Sequence, residues 1–209
     1  MINIKNNSTI NFYNQKAADF ITNTISVDFT EVQDLFLESL PTSGKILDFG
    51  CGSGRDSKYF LSKGYQVDAS DGSIELCKKA GEFLGIPVKQ MLFHELDAVE
   101  EYDGIWACAS ILHVEKNCLP GILQKMSNAT KSNGIIYASF KYGDFEGEVN
   151  GRYFTYLTEE TAGELVKTLP ELSCEKMWVT TDVRSERTDE RWLNLILKKR
   201  NVKLKRESI

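Results

Sequence analysis

Gly50, Gly52 and Gly54 stand at alternate positions directly after the apolar run Ile46-Leu47-Asp48-Phe49. Residues without a Cβ let a ligand lie against the backbone and let the chain turn sharply into the next segment. A dinucleotide fingerprint would need its third glycine at position 55, where this chain has Arg55, so a pyrophosphate resting on the following helix fits poorly. Asp71 lies 21 residues beyond Gly50, a spacing suited to a carboxylate that accepts both hydroxyls of a ribose. Asp68 competes for that role, but it falls inside the second strand, whereas Asp71 follows the strand's end. The plain alternative is a tight turn at the glycines and an Asx-turn at Asp71 before Gly72.

Other reactive side chains follow later strands. His113 comes just after a fourth apolar run, where an imidazole can serve acid-base chemistry or simply pack. Lys141 and Tyr142 follow the fifth run and face the same crevice, or form a solvated strand end. Arg152 and Tyr153 come after a segment rich in glycine and acid, residues 143–151, whose composition suits a mobile flap. They are candidates to bind an anion and wall a pocket, against the bland role of loop anchors. Arg184, Arg187 and Arg191 are interleaved with Glu186, Asp189 and Glu190, the pattern of a solvated, self-compensating loop. Two histidines without cysteine or carboxylate at ligand spacing argue against a metal site. The five cysteines form no Cys-x-x-Cys pair and read as reduced core residues.

These positions need strands that end together, and the periodicity supplies them. Asn11–Ile25 and Phe29–Leu40 read as two leading helices. Strands are expected at Lys45–Phe49, Tyr65–Ala69, Val88–Leu92, Ile105–Ser110 and Ile135–Phe140, with helices at Arg55–Lys63, Ser73–Leu84 and Leu119–Thr130 between them. A capped helix from Thr158 to Leu169 precedes a hairpin of Ser173–Thr180 and Trp192–Lys198. Repeated βα units followed by a hairpin imply an open, doubly wound α/β sheet, in which ligands bind beyond the carboxyl ends of the strands. The tryptophans at 106, 178 and 192 fall in strands and read as core.

A chain of 209 residues with no Pro- or Ser-rich linker forms one domain: leading helices to residue 40, a core sheet over 45–198 and a basic tail over 199–209. Its 25 Lys and Arg against 30 Asp and Glu give a net charge of −5, which disfavours duplex DNA as a partner. The tail, with Lys198, Lys199, Arg200, Lys203, Lys205 and Arg206, is either an RNA contact or a solubilising end. Residues 1–10 are polar where a signal peptide would be apolar, and no membrane-spanning run follows, so the expected compartment is the cytoplasm.

Asp48-Phe49-Gly50-Cys51-Gly52-Ser53-Gly54 resembles the first motif of the class I S-adenosylmethionine-dependent methyltransferases, and Val67–Ser73 resembles their ribose-binding second strand. The likeness continues through Tyr102–Ala107 and Ser132–Ile136 and covers about residues 12–198. Within the class the chain is most similar to small bacterial enzymes of the tellurite-resistance type. The resemblance implies a mostly parallel, seven-stranded Rossmann-like sheet in the order 3-2-1-4-5-7-6, with leading helices as a lid. It implies S-adenosylmethionine as cofactor and S-adenosylhomocysteine as product. By position, Asp48, Gly50 and Gly52 hold the methionine end, Asp71 the ribose, and Tyr13 closes over the cofactor, with Cys51, Gly72 and Ser110 in the same wall. The family often has an aspartate after the third strand that bonds the adenine amino group. Here Met91 and Leu92 stand there, so adenine relies on apolar packing and backbone contacts. His113 then becomes the candidate base, and Lys141, Tyr142, Arg152 and Tyr153 the candidate substrate residues. The implied reaction methylates a small molecule, anionic or metalloid. Methylation of RNA or protein, or a non-catalytic sensor of the cofactor, are the alternatives.

Overall fold

The computed structural model describes residues 6–201. The tail positions Lys203, Lys205 and Arg206 lie outside the described residues. Strands β1 (Lys45–Phe49), β2 (Gln66–Asp71), β3 (Val88–Gln90), β4 (Tyr102–Ala107) and β5 (Thr130–Lys141) pair in parallel, and β9 (Arg191–Lys199) and β8 (Leu172–Thr181) add antiparallel at the β5 edge. The sheet order is β3-β2-β1-β4-β5-β9-β8. This is the expected 3-2-1-4-5-7-6 order once a separate hairpin, β6 (Glu146–Val149) with β7 (Arg152–Thr155), is left out of the count.

Alternation along the strands builds two cores. Leu47, Phe49, Ile105, Ala107, Ile136 and Ala138 face one side, where α5 (Leu119–Ala129) and α6 (Glu159–Lys167) pack. Ile46, Trp106, Ile135 and Tyr137 face the other, against α2 (Thr30–Leu37) and α3 (Arg55–Ser62). Trp106 stacks on Tyr137 with ring centroids 4.0 Å apart, and its indole N–H donates to Asp56 at 2.8 Å. That buried ring is core, as expected. Trp192 packs against the α5–α6 core and also lines the cavity described below.

Several boundaries move. The fourth strand runs Tyr102–Ala107 and not Ile105–Ser110, because Ala109 takes a left-handed conformation (φ 48°) that stops the ladder. The second strand extends to Asp71, so the carboxylate is its last residue and not a loop residue. The largest difference is residues 143–151, expected as a flap and folded as the β6–β7 hairpin. Asn150 and Gly151 link the two strands with φ of 51° and 77°, the left-handed pair that a tight two-residue hairpin turn demands. Helix α1 (Asn6–Thr24) lies over the carboxyl ends, touching both β7 and α4 (Ile74–Leu84).

Candidate methyl-donor and acceptor cavity

The strand ends and α1 enclose a cavity of about 240 Å³. At its floor the Gly50 and Cys51 amides both donate to the Ser70 carbonyl, at 2.9 and 2.8 Å, which ties the ends of β1 and β2 together. Gly50 has φ 90°, and a Cβ there would lie 2.4 Å from the Ser110 Cβ. No other residue fits this crossing. Ser110 lines the cavity, but its hydroxyl is taken by the Phe49 carbonyl at 2.6 Å.

Asp71 receives the Gly52 amide on one carboxylate oxygen (3.0 Å) and the Ser73 amide on the other (2.8 Å). Burial pushes its pKa up, partly offset by these amide bonds. Each oxygen keeps a lone pair for further donors. Asp68 points elsewhere, to Lys45 at 2.8 Å and the Tyr102 hydroxyl at 3.1 Å, so the structure separates the two competing aspartates. Gly72, Met91, Leu92 and Phe93 continue the wall as an apolar surface. Asp48 is not in it. Alternation sends that carboxylate to the α3 side, where it accepts the Ser57 hydroxyl at 2.6 Å, and burial followed by the neighbouring Asp56 raises its pKa. The backbone cradle, the ribose-height carboxylate and the flat apolar wall fit an adenosyl sulfonium cofactor.

The opposite end is assembled from distant segments. His113, only 8% exposed, has Nδ1 2.6 Å from the Tyr153 carbonyl and Nε2 2.9 Å from the Tyr13 hydroxyl. A carbonyl only accepts, so Nδ1 carries the proton and Nε2 accepts from Tyr13. Burial lowers the His113 pKa to about 4, with Arg152 and Lys141 adding to the effect. Arg152 sits 4.5 Å from the Phe12 ring and 5.1 Å from Phe154, and its buried Nε–H has no hydrogen-bond partner. Lys141 bonds Glu190 at 2.6 Å.

Two expected substrate residues lie outside the cavity lining. Tyr142, just past β5, stacks under Arg191 at 4.4 Å, and the buried Tyr153 directs its hydroxyl to Glu146 at 2.7 Å. Tyr153 instead supports His113 through its backbone. Conversely, Arg184 and Arg187, read from the sequence as a solvated loop, line the cavity with Asp182, Trp192 and Asn194. Arg184 grips Asp182 through two bonds of 2.8 and 2.5 Å, and the Trp192 indole adds a third at 3.0 Å. The topology holds the missing signal: a terminal strand parallel to β5 brings the loop after it to the same sheet edge. Among the described residues no cluster of three or more metal-ligating side chains occurs.

The sheet order and the cavity at its carboxyl edge define a Rossmann-like protein of the methyltransferase class, and solved structures share that fold. A Burkholderia thailandensis 1,6-didemethyltoxoflavin-N1-methyltransferase, solved with S-adenosylhomocysteine, is 18% identical with a TM-score of 0.76, covering 92% of this chain and 87% of that one. The N-methyltransferase NodS of Bradyrhizobium japonicum WM9, also in complex with S-adenosylhomocysteine, is 14% identical with a TM-score of 0.68, over 89% and 97%. The family model described as Tellurite resistance protein TehB matches residues 11–164, and the chain belongs to that family. A curated relative, the "Probable S-adenosyl-L-methionine-dependent methyltransferase TehB" of Haemophilus influenzae strain 10810, is 28% identical over 107 residues. That match takes in 48% of this chain and 37% of the relative, little more than a third of the relative's length.

Proposed function

We propose that this protein transfers a methyl group from S-adenosylmethionine to a small anionic acceptor. The observation that carries this reading is one cavity with two unlike ends. The Gly50–Gly52 backbone, Asp71 and the Met91–Phe93 wall receive the cofactor. Lys141, Arg152, Arg184 and Arg187 also line the cavity, Lys141 paired with Glu190 and Arg184 with Asp182. When bound, the cofactor supplies an electrophilic methyl group on a sulfonium. The protein's part is to align a nucleophile behind that methyl, exclude water, and hold an anion beside the sulfonium charge.

In this reading Arg152 is the principal anion contact, since Lys141 and Arg184 already hold carboxylates. His113, the candidate base, has its Nε2 engaged by Tyr13 and works through that residue. The family's description makes oxyanions of a metalloid the first acceptors to assay, followed by organic acids of similar size. The α1 roof favours small acceptors over RNA or protein. The free cysteines among the described residues suit the reducing cytoplasm, where we place the protein.

Thermal unfolding with S-adenosylmethionine, S-adenosylhomocysteine and NADH in parallel tests the cofactor. A ligand at about 100 times its Kd adds about 2.7 kcal/mol, a rise of roughly 5 to 11 °C for a domain of this size. A rise with the first two alone is expected, and no rise with either overturns the reading. Transfer of labelled methyl to anionic but not to uncharged acceptors tests the substrate class, and label entering macromolecules instead would refute it.

A further inference from the structure

Helix α1 is fastened over the cavity by polar bonds at three points. The Asn14 side-chain oxygen accepts the Ser73 hydroxyl at 2.6 Å at the head of α4. Thr9 Oγ1 accepts the Tyr153 amide at 2.9 Å on β7. Between them the Tyr13 hydroxyl reaches His113. Thr9, Tyr13, Ser73 and His113 all line the cavity, so these fastenings are part of its wall.

We propose that His113 is the positioning residue of an α1 lid: fixed as the Nδ1–H tautomer by the Tyr153 carbonyl, it accepts the Tyr13 hydroxyl at Nε2 and latches that ring across the bound methyl donor. The inference rests on the reading that this cavity takes S-adenosylmethionine. Tyr153 is the hub of the device, since its amide holds Thr9 of the lid and its carbonyl sets the imidazole. The Phe154 ring, with its centroid 4.9 Å from that of His113, packs on the imidazole.

The latch works only with a neutral imidazole, because an imidazolium donates from both nitrogens and has no lone pair for Tyr13. The charged and titratable groups around it favour the neutral form. Arg152 on β7 and Lys141 on β5 face it with positive charge, Tyr13 is the titratable group on α1, and Tyr13 in turn meets Arg152 first, by charge and a side-chain hydrogen bond, then Asp71 on β2 and Arg184 on the β8–β9 loop. Acid therefore releases the lid.

The test is the dissociation rate of S-adenosylhomocysteine from the full chain, followed by stopped-flow fluorescence of the cavity tryptophan Trp192. Tyr13→Phe keeps the ring and removes the bond, and dissociation should accelerate about fivefold with association nearly unchanged. His113→Ala should accelerate it similarly, and the double variant no further, because both remove one bond. His113→Gln places an amide oxygen near the Nε2 position, so slow dissociation should survive in it. The wild-type rate should climb as pH falls towards about 4, where the buried imidazole takes up its proton, and His113→Gln should lose that profile. A Tyr13→Phe rate equal to wild type, or effects of the two single variants that multiply, would overturn the latch. If His113→Ala does not fold, the Tyr13→Phe rate and the His113→Gln pH profile decide. A wild type that binds no S-adenosylhomocysteine would instead overturn the reading of the cavity, and the latch with it.

Discussion

The two ends of the cavity are built in different ways. The end proposed for the cofactor comes from neighbouring pieces of chain: Gly50 to Ser53 after β1, Asp71 to Ser73 from the end of β2, and Met91 to Phe93 after β3. Its shape is fixed by backbone, through the Ser70 carbonyl and the two amides on Asp71. The end proposed for the acceptor draws His113 from beyond β4, Lys141 from β5, Arg152 from β7 and Arg184 from the β8–β9 loop, with Tyr13 of α1 bonded to His113. Side chains with paired charges shape it. A backbone-built end accepts almost no substitution, while a side-chain-built end can be retuned one residue at a time.

The harshest way to test that difference is Gly50→Ala. A Cβ at 2.4 Å from Ser110, on a residue with φ 90°, should cost about 3 kcal/mol or more and abolish cofactor binding. Calorimetry and a melting curve measure both, and a tolerated alanine would mean that this end too is adaptable.

Next in size is the pH dependence that His113 brings to the acceptor end. Its folded pKa of about 4 lies below the ordinary 6.5, so the folded state binds fewer protons in that interval. The contribution is whole above pH 6.5 and disappears as pH falls through 6.5 towards 4, a change of about 3 kcal/mol. The buried Asp48 and Asp71 carboxyls have raised pKa values and act in the opposite sense, so the comparison to make is denaturation of wild type against His113→Gln across this range. Parallel curves would refute the assignment.

Asp71→Ala should weaken S-adenosylhomocysteine by about 2 kcal/mol through lost charge-assisted bonds, and unchanged affinity would remove the ribose role. Smallest is Arg152→Gln. It should raise KM for an anionic acceptor about tenfold, roughly 1.4 kcal/mol, with a smaller loss of S-adenosylhomocysteine affinity through its hydrogen bond to Tyr13. An unchanged KM would remove Arg152 as the anion contact.

The same contrast explains what can be read from the chain. The glycine turn and its carboxylate are contiguous signals whose meaning comes from local backbone geometry, so their positions are legible in the sequence. The β6–β7 hairpin has one local signal, the Asn150-Gly151 pair, but the acids and glycines around it lend the segment the look of a flap. Arg184 and Arg187 are not legible from composition. Alternating charges in a loop look solvated unless the loop is known to return to the ligand edge of the sheet. Tyr142 and Tyr153 mislead in the reverse direction, since proximity in sequence to a strand end says nothing about which face a side chain takes.

By itself, then, the sequence determined the strand-helix alternation and the place of the glycine turn, because periodicity, glycine placement and strand-end position are properties of short stretches of chain, while the sheet order was implied only by the resemblance to a family. Only the tertiary structure decided which of two aspartates reaches the cavity, which nitrogen of His113 holds its proton, and which arginines meet there. Those are decided by packing between segments distant in sequence, as in the Tyr13–His113 and Thr9–Tyr153 bonds, and no local pattern encodes them.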